Sequence, residues 1–157
     1  MSHPRSCAVL AVFVALAAPA KAGPCDALVA DVMAATGATF ERSSRSGKNA
    51  FLSHPLMDSF TLDCTFPLQP LVSGYWSKNA FPPNAFFEAV ATAASVVTKE
   101  GANRIEAGMR QCNRTALSRP QSEMSAVKVG LANIECHSFT RDGGSVGFSI
   151  NLIDRRR

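Results

Sequence analysis

The sequence is poor in the residues that carry most chemistry. Its 157 residues include one Trp, one Tyr and three His, and no two cysteines stand at C-x-x-C spacing. That spacing and the scarcity of histidine disfavour a structural zinc site and a thioredoxin-like redox motif. No apolar run approaches the roughly 20 residues needed to cross a bilayer as a helix, so no transmembrane segment is expected. Glycine (10) and proline (9) are neither abundant nor periodic, which excludes a collagen-like or low-complexity chain. Charged residues make up 18% and apolar residues 46%, a balance that argues against wholesale disorder and fits one globular domain. There is no glycine-rich phosphate loop and no heptad seam.

What is present begins with a leader. Arg5 precedes the apolar stretch Cys7 to Ala18, which is followed by Pro19 and Ala20-Lys21-Ala22. A basic start, an apolar middle and an A-x-A site identify residues 1–22 as a cleaved signal peptide. The expected product, residues 23–157, is a single exported α+β domain, periplasmic or extracellular. Losing Arg5 and Lys21 lowers the formal charge from +4 to +2, which leaves no reason to expect a nucleic-acid partner. The Arg155-Arg156-Arg157 terminus reads as a solvated tail.

Cleavage also removes Cys7 and leaves four cysteines, Cys25, Cys64, Cys112 and Cys136, in a compartment where thiols oxidise. Two disulfides are expected. Four cysteines allow three connectivities, and sequence alone does not choose among them. Pairing Cys25 with Cys64 and Cys112 with Cys136 is preferred, because each bond then joins a helix to the next strand within one half of the chain. A lipidated Cys25 is disfavoured by Pro24 before it and by the odd thiol it would leave.

Hydrophobic spacing predicts the elements. Leu28, Val32 and Ala35 share a face of a short helix stopped at Gly37. Residues 39–44 and 50–53 flank a hairpin loop around Gly47, and Phe60, Leu62, Cys64 and Phe66 alternate with Thr61, Asp63 and Thr65, which points Cys64 inward. From Pro67 to Pro83 the chain holds four prolines, Tyr75 and Trp76, a long connection that either carries function or conceals a strand near Leu71 to Ser77. Phe86, Val90, Ala94 and Val97 form a helical stripe that Ile105, Met109 and Cys112 continue beyond Gly101. Residues 126–131, 133–140 and 145–153 read as strands, the last two joined at Asp142-Gly143. The expected fold is two helical segments on one face of a mainly antiparallel sheet of four to six strands, in the order α-β-β-β-α-β-β with two disulfides. Thr61-Leu62-Asp63-Cys64 and Asn133-Ile134-Glu135-Cys136 share a pattern that hints at an old duplication.

Candidate sites are few. Gly143-Gly144-Ser145-Val146-Gly147 matches the G-x-S-x-G pattern of hydrolase nucleophile elbows, but its serine should precede a helix and be followed by an acid and a histidine; here it opens a strand and no histidine follows. His54 and His137 read as surface histidines, and no carboxylate stands at helical spacing to either. Asp58, Asp63 and Glu135 show no informative spacing. Tyr75 and Trp76 are the candidate binding residues, offering flat contact area if exposed and closing the core if not. No catalytic residue, metal site or cofactor is indicated. The leading expectation is an exported binding, inhibitory or interaction module, partnered with another envelope or extracellular protein through the Pro67 to Pro83 loop. An accessory subunit of an envelope assembly and a small hydrolase are the alternatives, the first requiring an exposed apolar edge or face and the second a cleft where a histidine meets a carboxylate or serine.

Overall fold

The computed structural model describes residues 24–64, 70–119 and 123–153. The leader, Phe66, Pro67 and the terminal arginines lie outside them. Helix α1 (Pro24–Thr36) leads into strands β1 (Thr39–Ser43), β2 (Asn49–His54), β3 (Met57–Asp63) and β4 (Leu71–Trp76). Helices α2 (Asn84–Thr98) and α3 (Ala102–Leu117) follow, then β5 (Met124–Val129), β6 (Ala132–Phe139) and β7 (Ser145–Leu152). All seven strands pair antiparallel in one sheet, in the order β1-β2-β3-β4-β7-β6-β5.

The fold is α+β, with the helices on one face of an antiparallel sheet. Period-two alternation explains that face: Phe60 and Leu62 on β3, Val72 and Trp76 on β4, Val146, Phe148 and Ile150 on β7, and Ile134 and Cys136 on β6 are buried. Helix α2 lies over β4 and β7, α3 over β5 and β6, and α1 against α2. The apolar stripes of α2 (Phe86, Val90, Ala94, Val97) and α3 (Ile105, Met109, Cys112, Ala116) close the core. Two glycines let the layers approach. A Cβ on Gly108 would fall 2.6 Å from Val129 Cγ2 and 2.8 Å from Ile134 Cδ1, and one on Gly74 would fall 2.6 Å from Val90 Cγ2.

Cys25 is bonded to Cys64 and Cys112 to Cys136, with Cα separations of 5.7 and 6.0 Å, so the preferred pairing is the one formed. Each bridge pins a helix to the core face of the sheet.

Several details extend the expected order. The helical stripe divides: Lys99 takes a left-handed conformation (φ 61°), Gly101 is extended, and α3 starts afresh. The concealed strand exists as β4, and Gly130 ends β5 by turning with positive φ, which separates β5 from β6. Glu100 secures that turn, accepting a hydrogen bond from the Leu131 N–H at 2.8 Å. The tetrapeptides that hinted at duplication occupy matching places on either side of the central antiparallel pair β4–β7, one along β3 and its exit and the other on β6, with Leu62 and Ile134 in one row through Val72 and Ile150.

Candidate functional site

The other face of the sheet is covered by none of the described elements. Register aligns its residues in rows. One row runs Phe51, Thr61, Ser73, Ser149, Glu135, Ala126, and the next runs Ser59, Tyr75, Gly147, His137, Met124. Along β7 this face carries only Ser145, Gly147, Ser149 and Asn151, all small, while β4 and β6 on either side carry Tyr75, Glu135 and His137. The result is a trough of about 270 Å³ whose lining includes Ser73, Tyr75, Glu135, His137, Gly147 and Ser149. With strands about 4.8 Å apart, the backbones of β4 and β6 stand roughly 10 Å from each other across it. That volume is just below the roughly 300 to 1,000 Å³ of small-molecule sites, so the trough is shallow.

Tyr75 forms one wall. A Cβ on Gly147 would stand 3.3 Å from Tyr75 Cδ2, so the ring leans over the glycine. It remains 37% exposed. The floor is fixed by a hydroxyl pair, Ser73 Oγ to Ser149 Oγ at 3.2 Å. On the opposite wall Glu135 accepts a hydrogen bond from Asn133 Nδ2 at 3.0 Å. His137 Nε2 lies 3.2 Å from Glu123 Oε2, and the other oxygen of Glu123 pairs with Arg141 at 2.9 Å. Beyond the rim, Asp58 Oδ2 accepts from the Ser77 N–H at 2.7 Å and from Ser77 Oγ at 2.9 Å. The backbone N–H of Ser77, then its hydroxyl, hold the Asp58 carboxyl below its usual pKa, with Lys78 adding to the effect. This clamp ties the start of β3 to the exit of β4.

The segment from Pro67 to Pro83 is thus not a loop throughout: its middle is a strand at the centre of the sheet. Tyr75 and Trp76 separate because neighbours on a strand point to opposite faces. Trp76 packs on Phe86 with centroids 6.1 Å apart and is 9% exposed, so Tyr75 alone faces the trough. Past β4, Phe81 is 71% exposed.

His54 is occupied in its turn, its Nδ1 accepting from the Leu56 N–H at 3.2 Å and its ring edge against Phe60. Four strand spacings, roughly 19 Å, part it from His137. Ser145 opens β7 after the turn Arg141–Gly143 and is 2% exposed, and its Oγ has no hydrogen-bond partner among the described residues. It is therefore not bonded to His137, although the two are diagonal neighbours, and Gly144 (φ 79°) reads as a turn glycine. Among the described residues no three of His, Cys, Asp and Glu are placed to hold a metal ion. Sequence reasoning weighed Glu135 and His137 singly and missed the trough; the signal available was the run of small residues at alternate positions of β7 between larger ones on its neighbours. No protein-family model, curated protein or solved structure matches the chain, and the site stands on its own geometry.

Proposed function

We propose that the protein is an exported binding module whose uncovered sheet face, centred on Tyr75, engages another envelope or extracellular protein. The observation that carries this is the composition of that face: a rigid aromatic among Ser59, Ser73, Gly147, Ser149, Asn133 and Asn151. Tyrosine supplies contact area at low entropic cost, and serine, glycine and asparagine supply adaptable hydrogen bonds, the combination that binding surfaces of antibodies use. Export, to the periplasm or beyond, is supported by the leader pattern at residues 1–22 and by the two disulfides. No described helix is long and apolar enough to cross a membrane.

The sheet edges are poorer contact sites than the face. Edge strand β1 has a bulge between Phe40 and Arg42 and carries Glu41 and Arg42, and β5 carries Lys128, devices that discourage strand addition. This weighs against an accessory subunit that assembles edge to edge. For a hydrolase the histidine–carboxylate contact is present, His137 with Glu123 at 3.2 Å, but the buried Ser145 hydroxyl is not bonded to that histidine, which weighs against this reading. A small aliphatic photo-crosslinking residue bearing a diazirine at Ser149, too small to fill the floor, tests the proposal, with one at Arg114 on the helical side as comparison. The expected result is a defined adduct with an envelope protein from position 149 alone, lost in Tyr75→Ala. Equal adducts from both positions would sink it.

A further inference from the structure

The charge of the trough narrows the partner. The chain is net basic, yet no Lys or Arg lines the trough, while Glu135 does. Glu123 and Arg141, beside His137, already satisfy one another. Glu135 is exposed and, among the described residues, is paired with no cation, its side-chain contact being the neutral amide of Asn133. Diagonally across β7 from it, in the next row and facing His137, stands the Tyr75 ring, whose π face attracts a cation. The missing counter-charge of this surface is therefore positive. A guanidinium matches both walls, because it is planar, stacks on aromatic rings and donates in pairs to a carboxylate. The shape agrees: the small residues Gly147, Ser149 and Asn151 leave a channel along β7 of about 14 Å, enough for four or five residues of extended chain.

We infer that the trough along β7 receives an extended, arginine-bearing segment of the partner protein, with the guanidinium seated between the Tyr75 ring and the Glu135 carboxylate. This rests on the open face being a protein-binding surface and specifies what it selects. A phosphorylated or nucleic-acid partner is disfavoured by the same charge, and a neutral glycan leaves Glu135 without its counter-charge.

The test uses the purified exported protein and an eight-residue peptide alternating Ala and Arg, beside the same peptide with citrulline in place of arginine and a neutral chito-oligosaccharide. Citrulline keeps the shape of the side chain but replaces one guanidinium NH2 by a carbonyl oxygen, removing the charge and two N–H donors. The arginine peptide is expected to bind at least tenfold more tightly than the citrulline peptide, with amide shifts concentrated at Tyr75, Glu135, Gly147 and Ser149. Glu135→Gln and Tyr75→Ala should each weaken it at least fivefold, and Glu88→Gln on α2 should leave it unchanged. Ser149→Trp, which fills the floor, should abolish the shifts, with an unaltered melting profile showing that each variant is folded. Equal affinity for the two peptides, full binding by Glu135→Gln, or Tyr75 shifts with the oligosaccharide alone would each overturn the inference. If the crosslink from position 149 is lost in Tyr75→Ala but survives in Glu135→Gln, the protein-binding role stands and the selection for arginine falls.

Discussion

The two faces of the sheet are made from the same strands and differ in nearly every respect. Ile134 and Cys136 are buried under α3, while Glu135 and His137, their immediate neighbours, look into the open trough. The core face demands fitted volumes, so much so that Gly74 and Gly108 are needed where helices come closest. On the open face the β7 floor carries small residues, while Tyr75, Glu135, His137 and Met124 stand along the walls and rim of the trough. Stability should therefore reside on one face and recognition on the other, and substitutions at alternate positions of one strand should separate the two.

The largest effect is expected from the bridges that hold the helices to the core face. Replacing Cys25 and Cys64 together by Ala releases a long loop and should cost about 4 kcal/mol, and replacing Cys112 and Cys136 slightly less, about 3.5 kcal/mol. Denaturant titration of each double variant measures this. A loss much smaller for the first pair would mean that α1 is held by its contacts with α2 rather than by the bridge.

Next comes the paired substitution on β6. Ile134→Ala should cost about 3 kcal/mol through lost burial and the cavity left beneath α3. Glu135→Ala, one residue on, should stay within about 0.5 kcal/mol. Comparable losses at the two sites would mean that the open face is covered after all. Glycines sharpen the contrast further. Gly108→Ala adds a methyl group among Val129, Ile134 and Val127 and should cost about 1 to 2 kcal/mol net of its gain in helix propensity. Gly147→Ala meets only the edge of the Tyr75 ring and should change stability by less than about 1 kcal/mol.

The core face was the more legible of the two from sequence. Alternation at Phe60, Leu62 and Cys64 placed that cysteine inward and the helical stripe ran on to Cys112, so local pattern and chain order favoured the pairing that formed, although they left three connectivities open. The central strand was harder. Leu71 to Trp76 holds Ser73 and Gly74 and lies between prolines, weak strand material by propensity; it is a strand because β3 and β7 pair with it on both sides and because Val90 needs the space above Gly74. Once that strand is recognised, the opposite fates of Tyr75 and Trp76 follow from its geometry. The trough was harder still, since it depends on which strands lie beside β7, and strand order is a long-range property that no local window contains. Glu100, which closes the β5–β6 turn from 31 residues away, was invisible for the same reason.

A modest effect is expected at the Asp58 clamp, between the start of β3 and the exit of β4. Ser77 stabilises the ionised carboxylate, which lowers the pKa of Asp58 in the folded protein below the ordinary 3.8. The unfolded chain then binds the proton more readily than the folded one, so the clamp contributes its full stability above that ordinary value and loses it as the pH falls through the depressed one. Because the carboxylate is exposed and screened by water, the contribution is modest, no more than about 1 kcal/mol. Asp58→Asn keeps the shape and removes the charge. Its deficit against the parent should be measurable at pH 7 and should shrink at a pH well below 3.8, as the parent carboxylate takes up its proton. A deficit of equal size at both pH values would assign the clamp to packing and neutral hydrogen bonding rather than to charge.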